Sequence, residues 1–292
     1  MVDLRLLKVI RPHIVAGGFL GYLVGVLYGS RLDGGLSWSE FFLGYLIVLF
    51  MDLSTHFNND YYDVEVDRHA PFKPFGSVNL LINNNEMRDL ALNVAVGCSA
   101  ISLLLASASV LMGTMWHLVG VVALFNVLGW LYSAPPVRLH SRRLGEITIA
   151  VGTGFCVPAI GYIIARNGID GSFTLFSVPL ILYGFILSLC LQVPDYEVDR
   201  MMNKKTLVGL IGRRRTYLVV LLCAVAASAT YFRLLPGINS MMVPWISLVP
   251  AASSLYSILL MSDSSEHAQQ FTRLNISALF LFLACLDLLL LV

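Results

Sequence analysis

The sequence predicts an all-α membrane protein, with nine transmembrane helices in one bundle, a pseudo-repeat of two four-helix halves, and a single domain over residues 1–292. Three observations predict it. The chain is 57% hydrophobic and only 13% charged, with a mean hydropathy of +0.77, outside the range usual for soluble domains. Its apolar residues gather into runs of roughly 17 to 25, the length that crosses a bilayer as a helix. Its basic residues fall almost entirely on one side of those runs.

In chain order the runs cover about 12–30, 38–58, 87–111, 115–132, 144–165, 173–194, 215–235, 240–261 and 268–291. The first follows Arg5, Lys8 and Arg11 in the manner of a secretory signal. It exceeds the usual apolar length of one, no small-x-small cleavage site follows, and eight further runs come after, so it is read as the first span. Gly, Ser and Ala recur within the runs at spacings that suit close helix approach, and the Pro residues are of the kind that neighbouring helices accommodate. Cys98, Cys156, Cys190, Cys223 and Cys285 all lie inside runs without a CxxC pair and are read as packing residues.

With nine spans, the side that holds the N-terminus collects Arg5, Lys8, Arg11, Arg68, Lys73, Arg88, Arg138, Arg142, Arg143, Arg200, Lys204, Lys205, Arg213, Arg214, Arg215 and Arg273, leaving Arg31, Arg166 and Arg233 opposite. The positive-inside rule places the N-terminus in the cytoplasm and the C-terminus across the membrane. A missed or invented span would scramble that alternation.

Two acidic clusters stand out on the basic side. Asn59-Asp60-Tyr61-Tyr62-Asp63-Val64-Glu65-Val66-Asp67 ends the second run, and Asp195-Tyr196-Glu197-Val198-Asp199 ends the sixth. The four-span interval between them is the basis of the pseudo-repeat. Carboxylates at the edge of hydrocarbon are costly and mark functional sites. Asn59, Asp63 and Asp67 are spaced by four, so on a helix they share one face, and Asp195 and Asp199 repeat that spacing. Asp60, Glu65 and Glu197 fall off these stripes and suit supporting contacts. Oxygen-only ligands select a hard cation, and Mg²⁺ characteristically joins one or two carboxylates to substrate phosphate, so two stripes suit two ions. Arg68, Lys73, Arg200 and Lys204 follow the acids and suit the remaining phosphate oxygens. The loops at about 68–86 and 200–214 are candidate lids over the mouth. A diphosphate beside Phe57, Tyr61, Tyr62 and Tyr132 points to isoprenoid chemistry, in which metal stabilises the leaving group and aromatic faces shelter an allylic cation. Nothing in the charge pattern calls for nucleic acid.

The chain resembles the UbiA superfamily of intramembrane prenyltransferases. Its NDxxDxxxD signature is present as Asn59, Asp60, Asp63 and Asp67, its DxxxD as Asp195 and Asp199, and its Lys-x-Thr-Leu as Lys204-Lys205-Thr206-Leu207. Tyr132-Ser133-Ala134-Pro135-Pro136-Val137-Arg138-Leu139 and Leu144-Gly145-Glu146 are similar to a stretch of the menaquinone-type branch, whose acceptor is 1,4-dihydroxy-2-naphthoate. The resemblance implies Mg²⁺ and a prenyl diphosphate on Asn59, Asp63, Asp67, Asp195 and Asp199, with transfer of the prenyl group to an acceptor, commonly an aromatic one, in contact with membrane lipid. It implies diphosphate contacts from Arg68, Lys73 and Lys204, and places Tyr132, Arg138 and Arg11 near the reacting carbon or acceptor. Lys73-Pro74 stands where Arg-Pro is usual and Asn203 where Gly is common, while Asp67-Arg68 is also typical of hydroxybenzoate and glycerol-phosphate branches, so the acceptor stays open between an aromatic quinone precursor and a glycerol-phosphate ether-lipid precursor. Two other classes fit less well. CDP-alcohol phosphatidyltransferases need Asp-Gly and Ala-Arg pairs that do not follow Asp63, and a cation-coupled transporter would carry its acids near the bilayer midplane.

Overall fold

The computed structural model describes residues 10–32, 35, 37–64, 68, 81–82, 84–234, 242–260 and 264–292. The chain folds as α1 (Pro12–Arg31), α2 (Trp38–Tyr62), α3 (Asn85–Leu111), α4 (His117–Ser133), α5 (Gly145–Arg166), α6 (Gly171–Gln192), two short helices α7 (Tyr196–Met201) and α8 (Leu207–Ile211), then α9 (Arg213–Leu234), α10 (Met242–Leu259) and α11 (Ser265–Leu291). Eight of these are long and apolar enough to cross a membrane, and α4, with 17 residues, is a shorter apolar helix that matches the remaining run. The protein is an integral, multi-pass membrane protein.

Local signals set the helix ends. Ser37 and Glu40 form a reciprocal capping box at the start of α2, and Asn84 caps α3 by accepting from the Met87 N–H at 3.1 Å. Asp170 caps α6, accepting from the Phe173 N–H at 3.0 Å and from the Tyr162 hydroxyl at 2.7 Å. Burial works to raise its pKa, but these hydrogen bonds and the nearby Arg166 charge bring it below the ordinary 3.8.

In the first half α2 packs on α3, and in the second α6 packs on α9, as a repeat of helix order requires. The opening helices of the two halves, α1 and α5, cross in close contact. Glycine makes that crossing possible. A Cβ on Gly25 would stand 1.9 Å from the Pro158 carbonyl oxygen, and one on Gly161 would stand 2.2 Å from that of Tyr22. Inside the bundle, polar side chains are satisfied across helices: Ser54 donates to the Ala95 carbonyl at 2.9 Å, and Ser99 ties α3 to α4 through Asn126 and the Trp130 indole N–H, both at 2.7 Å. One turn of α5, Gly152–Cys156, widens into a π-helix, a form common at functional sites. It faces the central cavity.

Candidate active site

Three polypeptide segments meet at one end of the bundle: the end of α2, the turn from α4 to α5, and the loop that carries α7 and α8. The end of α2 presents Asn59, Asp60 and Asp63. Asn59 Oδ1 accepts from the Ser133 hydroxyl at 2.6 Å. Asp63, 8% exposed, lies 3.1 Å from His140 Nε2. The Ser141 hydroxyl lies 2.7 Å from Nδ1 of the same ring, an arrangement satisfied when Nδ1 accepts from serine and Nε2–H donates to the carboxylate. Asp60, off the stripe, is buried against the Arg11 guanidinium at the start of α1. Removing one member of such a pair strands the other charge, which costs about 3–5 kcal/mol.

The α4–α5 turn also reaches the second acidic segment. Glu146, 1% exposed, accepts from the Leu207 N–H at 2.6 Å, and the Arg143 N–H donates to the Lys205 carbonyl at 2.9 Å. Asp195 precedes α7, and Asp199, 2% exposed, is 3.8 Å from Lys204 Nζ. Glu197 turns away to Arg213 at 2.9 Å. The stretch from 133 to 146 therefore links the two acidic segments, through Ser133, His140, Arg143 and Glu146.

Next to these segments lies a cavity of about 300 Å³. Arg11, His13, Asp52, His56, Asn59, Tyr132 and Thr148 supply its polar lining, and Phe125, Leu180, Tyr183, Leu187, Leu279, Phe282 and Leu283 supply apolar walls. Of the expected site residues, Arg11, Asn59 and Tyr132 line it, and Tyr132 stands edge-on to His140 with ring centres 5.3 Å apart. Asp63, Asp195, Asp199 and Lys204 lie in the segments around its mouth. Tyr62 packs edge-on to Tyr61, which receives the Arg88 guanidinium at 4.8 Å, and Phe57 is buried beside Val64 and Met87, so the aromatic faces inside the cavity come from Phe125, Tyr183, Phe280 and Phe282 as well as Tyr132. Arg68 donates to the Ile82 carbonyl at 3.0 Å. Arg138 is exposed in a separate basic groove with Arg142, Arg143 and Lys205. Asp67 and Lys73 lie outside the described residues, as does Glu65.

The donor chemistry fits Mg²⁺. Asn59, Asp63, Asp195 and Asp199 offer only oxygen, and two of these carboxylates are buried beside a group able to carry positive charge. Among the described residues no three of His, Cys, Asp and Glu form a closed cage. Mg²⁺ requires none, because water and substrate phosphate complete its octahedron.

Comparison with known proteins agrees with this architecture. The chain is 24% identical over 244 residues to 1,4-dihydroxy-2-naphthoate octaprenyltransferase of Bacillus subtilis, covering 82% of this chain and 75% of that protein. It is 25% identical over 283 residues to digeranylgeranylglyceryl phosphate synthase of Saccharolobus solfataricus, covering 94% and 92%. Its fold is similar to that of a UbiA homolog from Archaeoglobus fulgidus bound to DMAPP and Mg²⁺, with a TM-score of 0.71 and 19% identity over 95% of this chain and 98% of that one. A sequence model of the UbiA prenyltransferase family matches residues 19–286, and the chain belongs to that family.

Proposed function

We propose that the chain, acting as one domain over residues 1–292, transfers a prenyl group from a prenyl diphosphate to an aromatic quinone precursor, with the diphosphate held by Mg²⁺ at the cytoplasmic mouth. The observation that carries this reading is the junction of two buried acidic segments with a largely apolar cavity that begins at Asn59 and Tyr132. Asn59, Asp63, Asp195 and Asp199, with Asp67, hold the metal, as two ions on the two stripes. Bound there, Mg²⁺ offsets the charge that develops on the departing diphosphate. Lys204, Arg68 and Lys73 neutralise further phosphate oxygens. The prenyl tail lies along Leu180, Leu187, Leu279 and Leu283, where water is excluded, and the Tyr132 ring faces the carbon that loses its diphosphate. A glycerol-phosphate ether-lipid precursor is the second reading, favoured by the relative from Saccharolobus solfataricus, which matches more of the chain than the one from Bacillus subtilis.

The test uses the solubilised chain with geranylgeranyl diphosphate and Mg²⁺, offering 1,4-dihydroxy-2-naphthoate, 4-hydroxybenzoate and geranylgeranylglyceryl phosphate in competition, with products read by mass spectrometry. A prenylated naphthoate together with Mg²⁺-dependent pyrophosphate release is expected. Asp63→Ala and Asp195→Ala are expected to lower turnover by about 10³-fold or more. Near-normal turnover in both variants would end the metal assignment, and a prenylated glycerol phosphate as the main product would replace the first acceptor with the second.

A further inference from the structure

The polar face of α2 does not stop at the metal site. Stepping back along the helix from Asp63, positions 59, 56 and 52 stay within a sector of about 60°, and the seven residues from Asn59 to Asp52 descend about 10 Å. His56 and Asp52 both line the cavity, and both are buried, at 6% and 7% exposed. His56 Nδ1 has no hydrogen-bond partner, and no described residue donates a hydrogen bond to the Asp52 carboxylate. α1 is cut away opposite them: a Cβ on Gly18 would stand 2.0 Å from Asp52 Oδ2. An acid and an imidazole set this deep among Leu, Phe and Gly are expensive and add nothing to helix packing. What they lack is a partner, and the cavity is where a partner fits.

We propose that Asp52 and His56 form the acceptor subsite, taking a hydroxyl-bearing head group with its hydroxyls directed inward. The inference rests on the prenyl-transfer reading and deepens it. An acid side chain at this depth offers no counter-charge to an acceptor carboxylate or phosphate, and it pairs well with a hydroxyl. The imidazole serves a hydroxyl in either tautomer. An anionic group on the same acceptor is directed the other way, toward Arg11 at the mouth, which also lines the cavity. Hydroxyl partners at Asp52 and His56, with the Arg11 guanidinium, which pairs with Asp60 and whose Nε lacks a hydrogen-bond partner among the described residues, thus orient the acceptor along α2 and set its reactive edge beside Asn59 and Tyr132. Discrimination follows from the same geometry, because an acceptor without the hydroxyl leaves two buried polar groups unpaired.

The experiment is steady-state kinetics on the full chain in detergent, with whichever of 1,4-dihydroxy-2-naphthoate and 4-hydroxybenzoate the unaltered protein prenylates, since an aromatic acceptor reacts at a ring carbon and leaves its hydroxyl free to face Asp52. His56→Leu and Asp52→Asn are expected to raise the acceptor KM about 10-fold or more while the KM for prenyl diphosphate stays within about two-fold. His56→Asn, which keeps a polar atom near the position of Nδ1, is expected to recover most of the loss. The unmoved diphosphate KM reports an intact fold in the same assay. An unchanged acceptor KM in His56→Leu, a parallel rise in both KM values, or no recovery in His56→Asn overturns the subsite and leaves prenyl transfer standing. An unaltered protein that prenylates only geranylgeranylglyceryl phosphate, whose single free hydroxyl is the attacking group and cannot face Asp52, overturns the subsite and leaves prenyl transfer standing; one that prenylates none of the three acceptors overturns both.

Discussion

Asp63 draws its position from one end of α2 and its partner from a segment 77 residues away. The carboxylate is oriented by His140, whose other nitrogen is engaged by Ser141, so the imidazole is held in one orientation with Nε2 facing Asp63. In the proposed metal site, a ligand supported in this way binds more tightly than a free one. His140→Ala is therefore expected to raise the Mg²⁺ concentration for half-maximal turnover about 10- to 100-fold, while excess Mg²⁺ restores much of the rate. A Mg²⁺ titration of both proteins at saturating prenyl diphosphate checks this, and an unchanged midpoint would show that His140 supports only the turn. The acids of the two stripes are legible from the sequence because their spacing matches the helical period. His140 is not, since nothing in a local pattern ties a loop histidine to a distant aspartate. Asp52 and His56 carry a signal, the same spacing continued backward into an apolar run, where it is easily read as an ordinary span.

Among the helices, the contact between α1 and α5 sets the cavity wall. It depends on backbone meeting backbone at Gly25 and Gly161, where side chains have no room to yield. Gly161→Val is expected to force the two helices apart and to lower stability by about 1–3 kcal/mol or more, read as a lower unfolding temperature in detergent. Gly120→Val, in α4, is the control, because nothing lies within 4 Å of a Cβ there, and its unfolding temperature is expected to stay near that of the unaltered protein. Helix ends agreed with the apolar runs to within a few residues, since hydrocarbon thickness dictates length. The π-turn at Gly152–Cys156 and the short helices α7 and α8 had no such signature, because packing and loop contacts shape them.

Across the whole molecule, the two acidic segments are tied to each other through the turn between α4 and α5. Glu146 is its buried tie to the second acidic segment, and Glu146→Ala leaves the Leu207 N–H without its acceptor, a loss of about 1–3 kcal/mol. Limited proteolysis is expected to cut within 195–206 faster in that variant, with turnover reduced; equal cutting rates would place the strength of the junction elsewhere. By itself the sequence determined the all-helical membrane class, the nine apolar runs and the helical spacing of the acidic residues, because hydrophobic length and helical period are local properties written residue by residue. The tertiary structure alone decided which turn joins the two acidic segments, which aromatic side chains face the cavity, and that Asp52 and His56 line that cavity. Those are contacts between segments remote in the chain, and only packing brings them together.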